Sequence, residues 1–192
     1  MDLTVVSGVP GVGASEVCRT ARAELGDGYE LINFGDVMLE KAAARGLTRK
    51  RDELSKLSQR DLQLLQRRSA EYVAGRARGR AVILNTHLAV ATVHGYLPGL
   101  SRSSLRDVDP DRFVLIEASP ETIGSRREDA SYRSYRETGV HSIGFHQDLT
   151  RAAAMSYAMQ TGAPVRMVEN ETSIEDAAAD LVAIVTEGDP VE

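Results

Sequence analysis

The stretch Leu3-Thr4-Val5-Val6-Ser7-Gly8-Val9-Pro10-Gly11-Val12-Gly13-Ala14-Ser15 decides how this chain is read. An apolar run of strand length passes directly into G-x-x-x-x-G and then into a helical pattern from Ala14 to Leu25. Glycines at this spacing let successive backbone N–H groups turn inward as an anion nest. The positive end of the following helix points at the same place. Gly8, Val9, Pro10, Gly11, Val12, Gly13, Ala14, Ser15 and Glu16 are therefore the candidate phosphate-binding residues, with Ser15 placed to bind Mg2+. The usual lysine of such a loop is replaced by Ala14, which removes the cation that normally meets the β- and γ-phosphates. The competing reading is a glycine-rich turn with no ligand. The strand before it, the helix after it and the hydroxyl at the metal position favour phosphate.

Working outward, apolar runs alternate with helical patterns. Tyr29–Ile32 reads as a second strand, residues 36–44 as a helix, 81–84 as a third strand, 112–117 as a fourth and 164–168 as a fifth. Ser58-x-x-Asp61 is a capping box opening a long helix that turns Leu62, Leu65, Ser69, Tyr72 and Val73 to one face and stops at Gly79. Ser119-Pro120 starts another helix, and one more runs from about Ser142 to Thr161, ending at Gly162. Thr172-x-x-Glu175 caps the last, with Ile174, Ala178, Leu181 and Val185 inward. Between two helices, residues 128–140 have no apolar period and read as a lid-like loop. Five short strands alternating with helices predict an α/β, three-layer sandwich around a five-stranded parallel sheet. Ligands then belong at the carboxyl ends of the strands, after Val6, Asn33, Leu84 and Glu117.

The 192 residues fit one domain, 42% hydrophobic and 27% charged, with disorder expected only in the tail 187–192. No apolar run approaches the ~20 residues of a membrane span, and Asp2 stands where a secretory leader would carry a basic residue. Cys18 is the sole cysteine, which excludes an internal disulfide and points to a reducing, cytoplasmic setting. It reads as a core thiol. His87, His94, His141 and His146 share no metal-ligand spacing. The net charge of −5 argues against a generic nucleic-acid binder. That charge is unevenly spread: residues 41–80 hold 12 Lys/Arg and four acids, a net +8, which leaves −13 for the rest. Such a segment is either a solvated helix face or the place where something anionic binds.

Several further runs identify a resemblance. They are Asn33-Phe34-Gly35-Asp36-Val37-Met38, Arg51-Asp52-Glu53-Leu54 with Lys56-Leu57, Thr86-His87, Gly95-Tyr96-Leu97-Pro98-Gly99-Leu100, Arg126-Arg127 and Arg151-Ala152-Ala153-Ala154-Met155. With the glycine loop they make the chain resemble the archaeal-type adenylate kinases, which are P-loop nucleoside monophosphate kinases. The likeness runs almost end to end. It implies Mg2+-dependent transfer of phosphate from ATP to AMP, giving two ADP, and a homo-oligomer, often a trimer. It implies ATP on the glycine loop, Mg2+ on Ser15 and Asn85, and an AMP-binding helical region over 33–80. Phe34, Gly35, Asp36, Met38 and Lys56 would bind AMP. Arg126, Arg127, Arg133 and Arg151 would clamp the transferring phosphoryl group, and 128–140 would be the lid.

Five positions depart from that pattern, each removing charge: Ala14, Ser55, Asn85, Ala91 and Tyr135. An active site built on electrostatic stabilisation depends on such groups. Two rivals to an active adenylate kinase therefore stay open here: a nucleotide-binding regulator that has lost transfer activity, and a kinase for another nucleoside monophosphate.

Overall fold

A computed structural model describes residues 2–92, 95–129 and 142–187. Its main sheet has the strand order β2-β3-β1-β6-β7, all parallel: β1 (Leu3–Ser7), β2 (Tyr29–Asn33), β3 (Ala81–Asn85), β6 (Arg112–Glu117) and β7 (Val165–Glu169). These are the five strands expected, each within a residue of its predicted bounds. Strand β1 is fully buried at every position, as a central strand covered on both faces must be. From β1 the chain crosses to the β2–β3 side and then returns to β6 on the other. The topological switch therefore lies at the carboxyl end of β1, where such sheets bind ligands.

Alternate side chains of each strand feed two cores. Leu3, Val5, Leu84, Phe113 and Leu115 join Phe34, Val73, Leu105 and Tyr157 on one face. Val6, Ile83, Val114 and Ile116 join Val17, Cys18, Ile123 and Leu181 on the other. The first core is roofed by α2 (Phe34–Ala44), α4 (Gln59–Ala77), α5 (Arg102–Val108) and α7 (Ile143–Thr161), the second by α1 (Ala14–Leu25), α6 (Pro120–Asp129) and α8 (Ile174–Thr186). Burial pushes the Cys18 thiol up to about 12, so it is an inert core group, as read from the sequence.

Helix starts follow their capping residues. Ser58 accepts from the Asp61 amide to open α4, Ser119 accepts from Thr122 to open α6, and Ser142 from Phe145 to open α7. Two expectations are corrected. Helix α8 is capped by Ser173, which accepts from the Asp176 amide, and not by Thr172, one residue earlier. On α4, Tyr72 is 40% exposed beneath the Lys41 ammonium, while Ala70 takes a place in the core. Ser69, Ala70 and Val73 hold the inner face of the helix, and Tyr72 stands at its rim, where the ring meets the cation. The connection after β3, to which the sequence reading assigns no elements, holds an antiparallel pair, β4 (Ala89–Thr92) with β5 (Gly95–Pro98), and then α5. A short helix, α3 (Arg51–Leu54), precedes α4. Of the predicted lid, Glu128 and Asp129 close α6 and residues 130–140 lie outside the described residues. The tail beyond Glu187 does so as well.

Candidate phosphate-binding site

The glycine loop leaves β1 at the switch point and caps α1 with Gly13. Gly11 and Gly13 sit at φ +89° and +90°, a left-handed conformation that strains any residue bearing a Cβ. Space forbids one too: a Cβ on Gly13 would stand 2.6 Å from Asn170 Nδ2, and one on Gly11 2.7 Å from Arg127 Cγ. Within the loop the Val12 amide turns back to the Val9 carbonyl, and the Glu16 and Val17 amides are taken by the Gly13 carbonyl. Among the described residues, no backbone acceptor takes the amides of Gly13, Ala14 or Ser15. They are orphan donors at a helix N-terminus and can converge on an anion. Val9 and Val12 contribute backbone only, since their side chains are buried in the second core. Glu16 pairs with Arg19 at the surface.

Two arginines of α6 and one asparagine after β7 hold this loop in shape. Arg127 Nε donates to the Pro10 carbonyl at 2.8 Å and its stem crosses Gly11. Arg126 donates to the carbonyls of Asn170 (2.8 Å) and Val12 (3.3 Å). Asn170, 1% exposed, donates to the same Val12 carbonyl at 2.8 Å. Glu171 accepts from the Ser119 amide, the Ser119 hydroxyl and the Thr122 hydroxyl. The Thr122 and Ser119 hydrogen bonds hold its carboxyl at about 2, well below the ordinary 4.5. The α6 start, the β7–α8 turn and the glycine loop are thus one hydrogen-bonded unit.

On the opposite lip, Asn85 at the end of β3 donates from Nδ2 to Ser15 Oγ at 3.0 Å. The two predicted metal residues therefore meet. They offer a hydroxyl and an amide oxygen, hard donors that suit Mg2+, a cation that keeps several waters and is held largely by substrate phosphates. Among the described residues no group of three or more His, Cys, Asp or Glu forms a metal cage. The exposed His87 ring has Nδ1 2.9 Å from the Gly8 carbonyl. A carbonyl only accepts, so Nδ1 carries the proton and Nε2 is left for solvent or substrate.

Across the cleft, Arg51 donates to Asn33 Oδ1 at 3.0 Å and pairs with Asp36, lying over Gly35 at the start of α2. Asn33 also caps α2 by accepting from the Asp36 amide. Of the predicted AMP residues, Gly35 and Asp36 share this cluster. Phe34 is 2% exposed and its ring belongs to the first core, so it brings only backbone to the cleft. Met38 packs partly buried between two apolar clusters, and Lys56 is exposed just beyond α3.

The AAA domain family matches residues 7–143. Adenylate kinase of Methanopyrus kandleri is 43% identical over 184 residues, covering 94% of this chain and 96% of that protein. Adenylate kinase of Pyrococcus abyssi is 39% identical over 189 residues (95% and 94%), and that of Thermoplasma acidophilum 38% over 183 (95% and 97%). The chain belongs to the adenylate kinase family. Among solved structures, shikimate kinase from Acinetobacter baumannii superimposes with a TM-score of 0.63 at 13% identity, covering 100% of this chain and 96% of that one. A gluconokinase from Sinorhizobium meliloti gives 0.54 at 15%, covering 97% and 92%. These two show a shared kinase fold alone.

This adenylate kinase family member is a nucleoside monophosphate kinase, a phosphotransferase, and its remaining predicted residues fall as follows. Arg151 is held by both oxygens of Glu117 (2.7 and 2.6 Å) and by Asp148 (2.8 Å), contacts that raise its pKa, Glu117 most. Arg133 and Tyr135 lie outside the described residues. Ala91 sits in β4 opposite Tyr96, and Ser55 closes α3 with its hydroxyl on the Asp52 carbonyl. Sequence reasoning assigned no role to Arg51 or Asn170. Asn170 could have been found: it follows the fifth strand, the one carboxyl end that the list of ligand-bearing strand ends left out.

Proposed function

We propose that this chain transfers the γ-phosphoryl group of ATP to the phosphate of AMP, giving two ADP, through the residues gathered at the carboxyl end of β1. The observation that carries the reading is the Arg127 guanidinium laid across the glycine loop, at 2.8 Å from Pro10. This supports Arg127 as the cation for a loop that Ala14 leaves without a lysine. The free amides at Gly13–Ser15 hold the β- and γ-phosphates. An AMP phosphate oxygen forms the new bond to γ-phosphorus as the bond to the β-bridging oxygen breaks. No covalent enzyme intermediate is needed, so positioning and charge supply the rate. Arg127, backed by Arg126 and joined by Arg151 and by Arg133 of the 128–140 segment, stabilises the charge on the transferred group. Gly35, Asp36, Met38 and Lys56, with Arg51, form the acceptor side within a region spanning 33–80. Mg2+ on Ser15 and Asn85 would neutralise phosphate charge.

The reading includes a cytoplasmic location, supported by a single cysteine that is buried. Among the described residues no helix is long and apolar enough to cross a membrane. It also includes self-association, a trimer in the form the family resemblance implies. Support comes from Phe145 and Leu97, large apolar side chains that stay exposed on the surface. Light scattering after gel filtration reads the assembly, and a monomer removes that part.

The deciding experiment is ADP formation from ATP and AMP with Mg2+, with CMP, UMP, GMP and dTMP as parallel acceptors. AMP-dependent ADP that disappears with EDTA is the expected result. Activity with another monophosphate alone would change the acceptor, and ATP binding without transfer to any acceptor would overturn catalysis.

A further inference from the structure

The +8 of residues 41–80 does not all face the reaction cleft. Much of it is consumed locally: Arg51 pairs with Asp36, Lys50 with Glu53, Arg68 with Glu71, and Arg76 and Arg80 with Glu30. A second group converges elsewhere. Arg45 just past α2, Arg60 and Arg67 on α4, and Arg102 at the head of α5 line one open cleft of about 840 Å³. Arg60, Leu64 and Arg67 lie three and four residues apart, on one helix face. The Ser101 and Ser103 side chains complete the wall. Among the described residues, no hydrogen bond or ion pair engages the guanidinium of Arg45, Arg60 or Arg102, and all three are exposed. Arg67 is shared with Glu71 at 3.2 Å, and the one acid in the lining is Asp61. With Arg67 set against Glu71, three exposed arginines face the single carboxylate of Asp61, a surplus that calls for an anion. None of the glycine-loop residues, nor Phe34, Gly35, Asp36, Met38 or Lys56, lines the cleft.

We infer that this cleft is a second anion site, which binds a small polyphosphorylated ligand by its phosphates. The guanidinium forks suit bidentate contact with phosphate oxygens. The volume lies within the range of small-molecule sites. Its lining contains no aromatic ring, and Leu64 is its only apolar side chain. A base would have nothing to stack on, so recognition is of phosphate rather than nucleoside. The same lack disfavours a single-stranded nucleic acid, whose binding relies on stacking platforms. Four guanidinium forks from three elements offer more donors than one phosphate has oxygens to accept them, so the ligand carries at least two phosphates. The inference rests on this charge geometry and not on the kinase reading.

Inorganic tripolyphosphate is the probe, titrated calorimetrically at ~0.15 M salt, where loose charge attraction is screened within about 8 Å. One equivalent of a bisubstrate analogue, two adenosines joined by a phosphate chain, first fills the reaction site. The expected result is a remaining single site that the double variant Arg60→Ala/Arg102→Ala weakens at least tenfold. The variant Arg49→Ala/Arg78→Ala, with the same loss of net charge but outside the cleft, should leave it unchanged. Equal weakening by both variants, or loss of all binding once the analogue is present, would overturn the site. So would binding of double-stranded RNA with no binding of tripolyphosphate. The comparison of the two variants holds whether or not the analogue binds, so a failure of the kinase reading shows separately.

Discussion

At the scale of single residues, the glycine loop carries no lysine of its own, and the cation proposed for its phosphates comes from another element. Ala14 brings no charge, while Arg127 reaches the loop from α6 and is tied to Pro10. Arg127→Ala should therefore lower turnover by about 10²–10³-fold, the scale of losing one preorganised charge donor, with little change in thermal stability. Steady-state kinetics beside a melting curve reads both, and unchanged turnover would remove Arg127 from the clamp. Ala14→Lys should tighten ATP binding by restoring the missing charge. Glu171 makes a prediction about pH. Its folded-state pKa of about 2 lies below the ordinary 4.5, so its contribution to stability is complete above about 4.5 and fades as pH falls toward 2. Glu171→Gln should be less stable than the parent at pH 6 in urea titrations, and the gap should narrow as pH drops through 4. A constant gap across that range would show that the carboxylate charge is not what matters.

At the scale of elements, the β7–α8 end of the molecule anchors the loop. Helix α8 buries Ala177, Ala178, Leu181 and Val185 against α1 and the sheet, and Leu181 is fully enclosed. Leu181→Ala should cost about 2–5 kcal/mol, the range for a large-to-small change in a packed core. Chemical denaturation measures it. Because Asn170 and Glu171 lie in the turn before α8, this variant should also loosen ATP binding at temperatures well below unfolding. Helix α4 behaves differently. Its inner face is narrow, with Leu65, Ser69, Ala70 and Val73 buried, and its outer side carries Arg60 and Arg67, two of the four arginines of the second cleft.

At the scale of the whole molecule, the parallel sheet brings residues from five strand ends into one place. Ser15 comes from after β1, Asn33 from β2, Asn85 from β3, Glu117 from β6 and Asn170 from beyond β7. Transfer then requires both substrates seated together, with water excluded. ADP release from ATP and Mg2+ without AMP should be at least ~10²-fold slower than with AMP, given the share of the barrier that positioning supplies. A coupled assay with AMP omitted tests this, and comparable rates would mean that the site does not exclude water.

The sequence alone determined the fold class, all five sheet strands and the glycine loop between β1 and α1, because these rest on local signals. Apolar runs of strand length, glycine spacing and capping serines act within a few residues of themselves. It misplaced Tyr72 and the α8 cap and missed the β4–β5 pair, where neighbouring residues compete and only packing or pairing decides. The tertiary structure decided which cations face which cleft. Charge along a chain has no direction until helices are packed, so the +8 segment read as one feature in the sequence. Folding split it into local ion pairs, Arg51 with Asp36 among them, and arginines that line a separate cleft. Arg126 and Asn170 hold the glycine loop from 114 and 158 residues away in sequence. Contacts of that range leave no local trace for a pattern to carry.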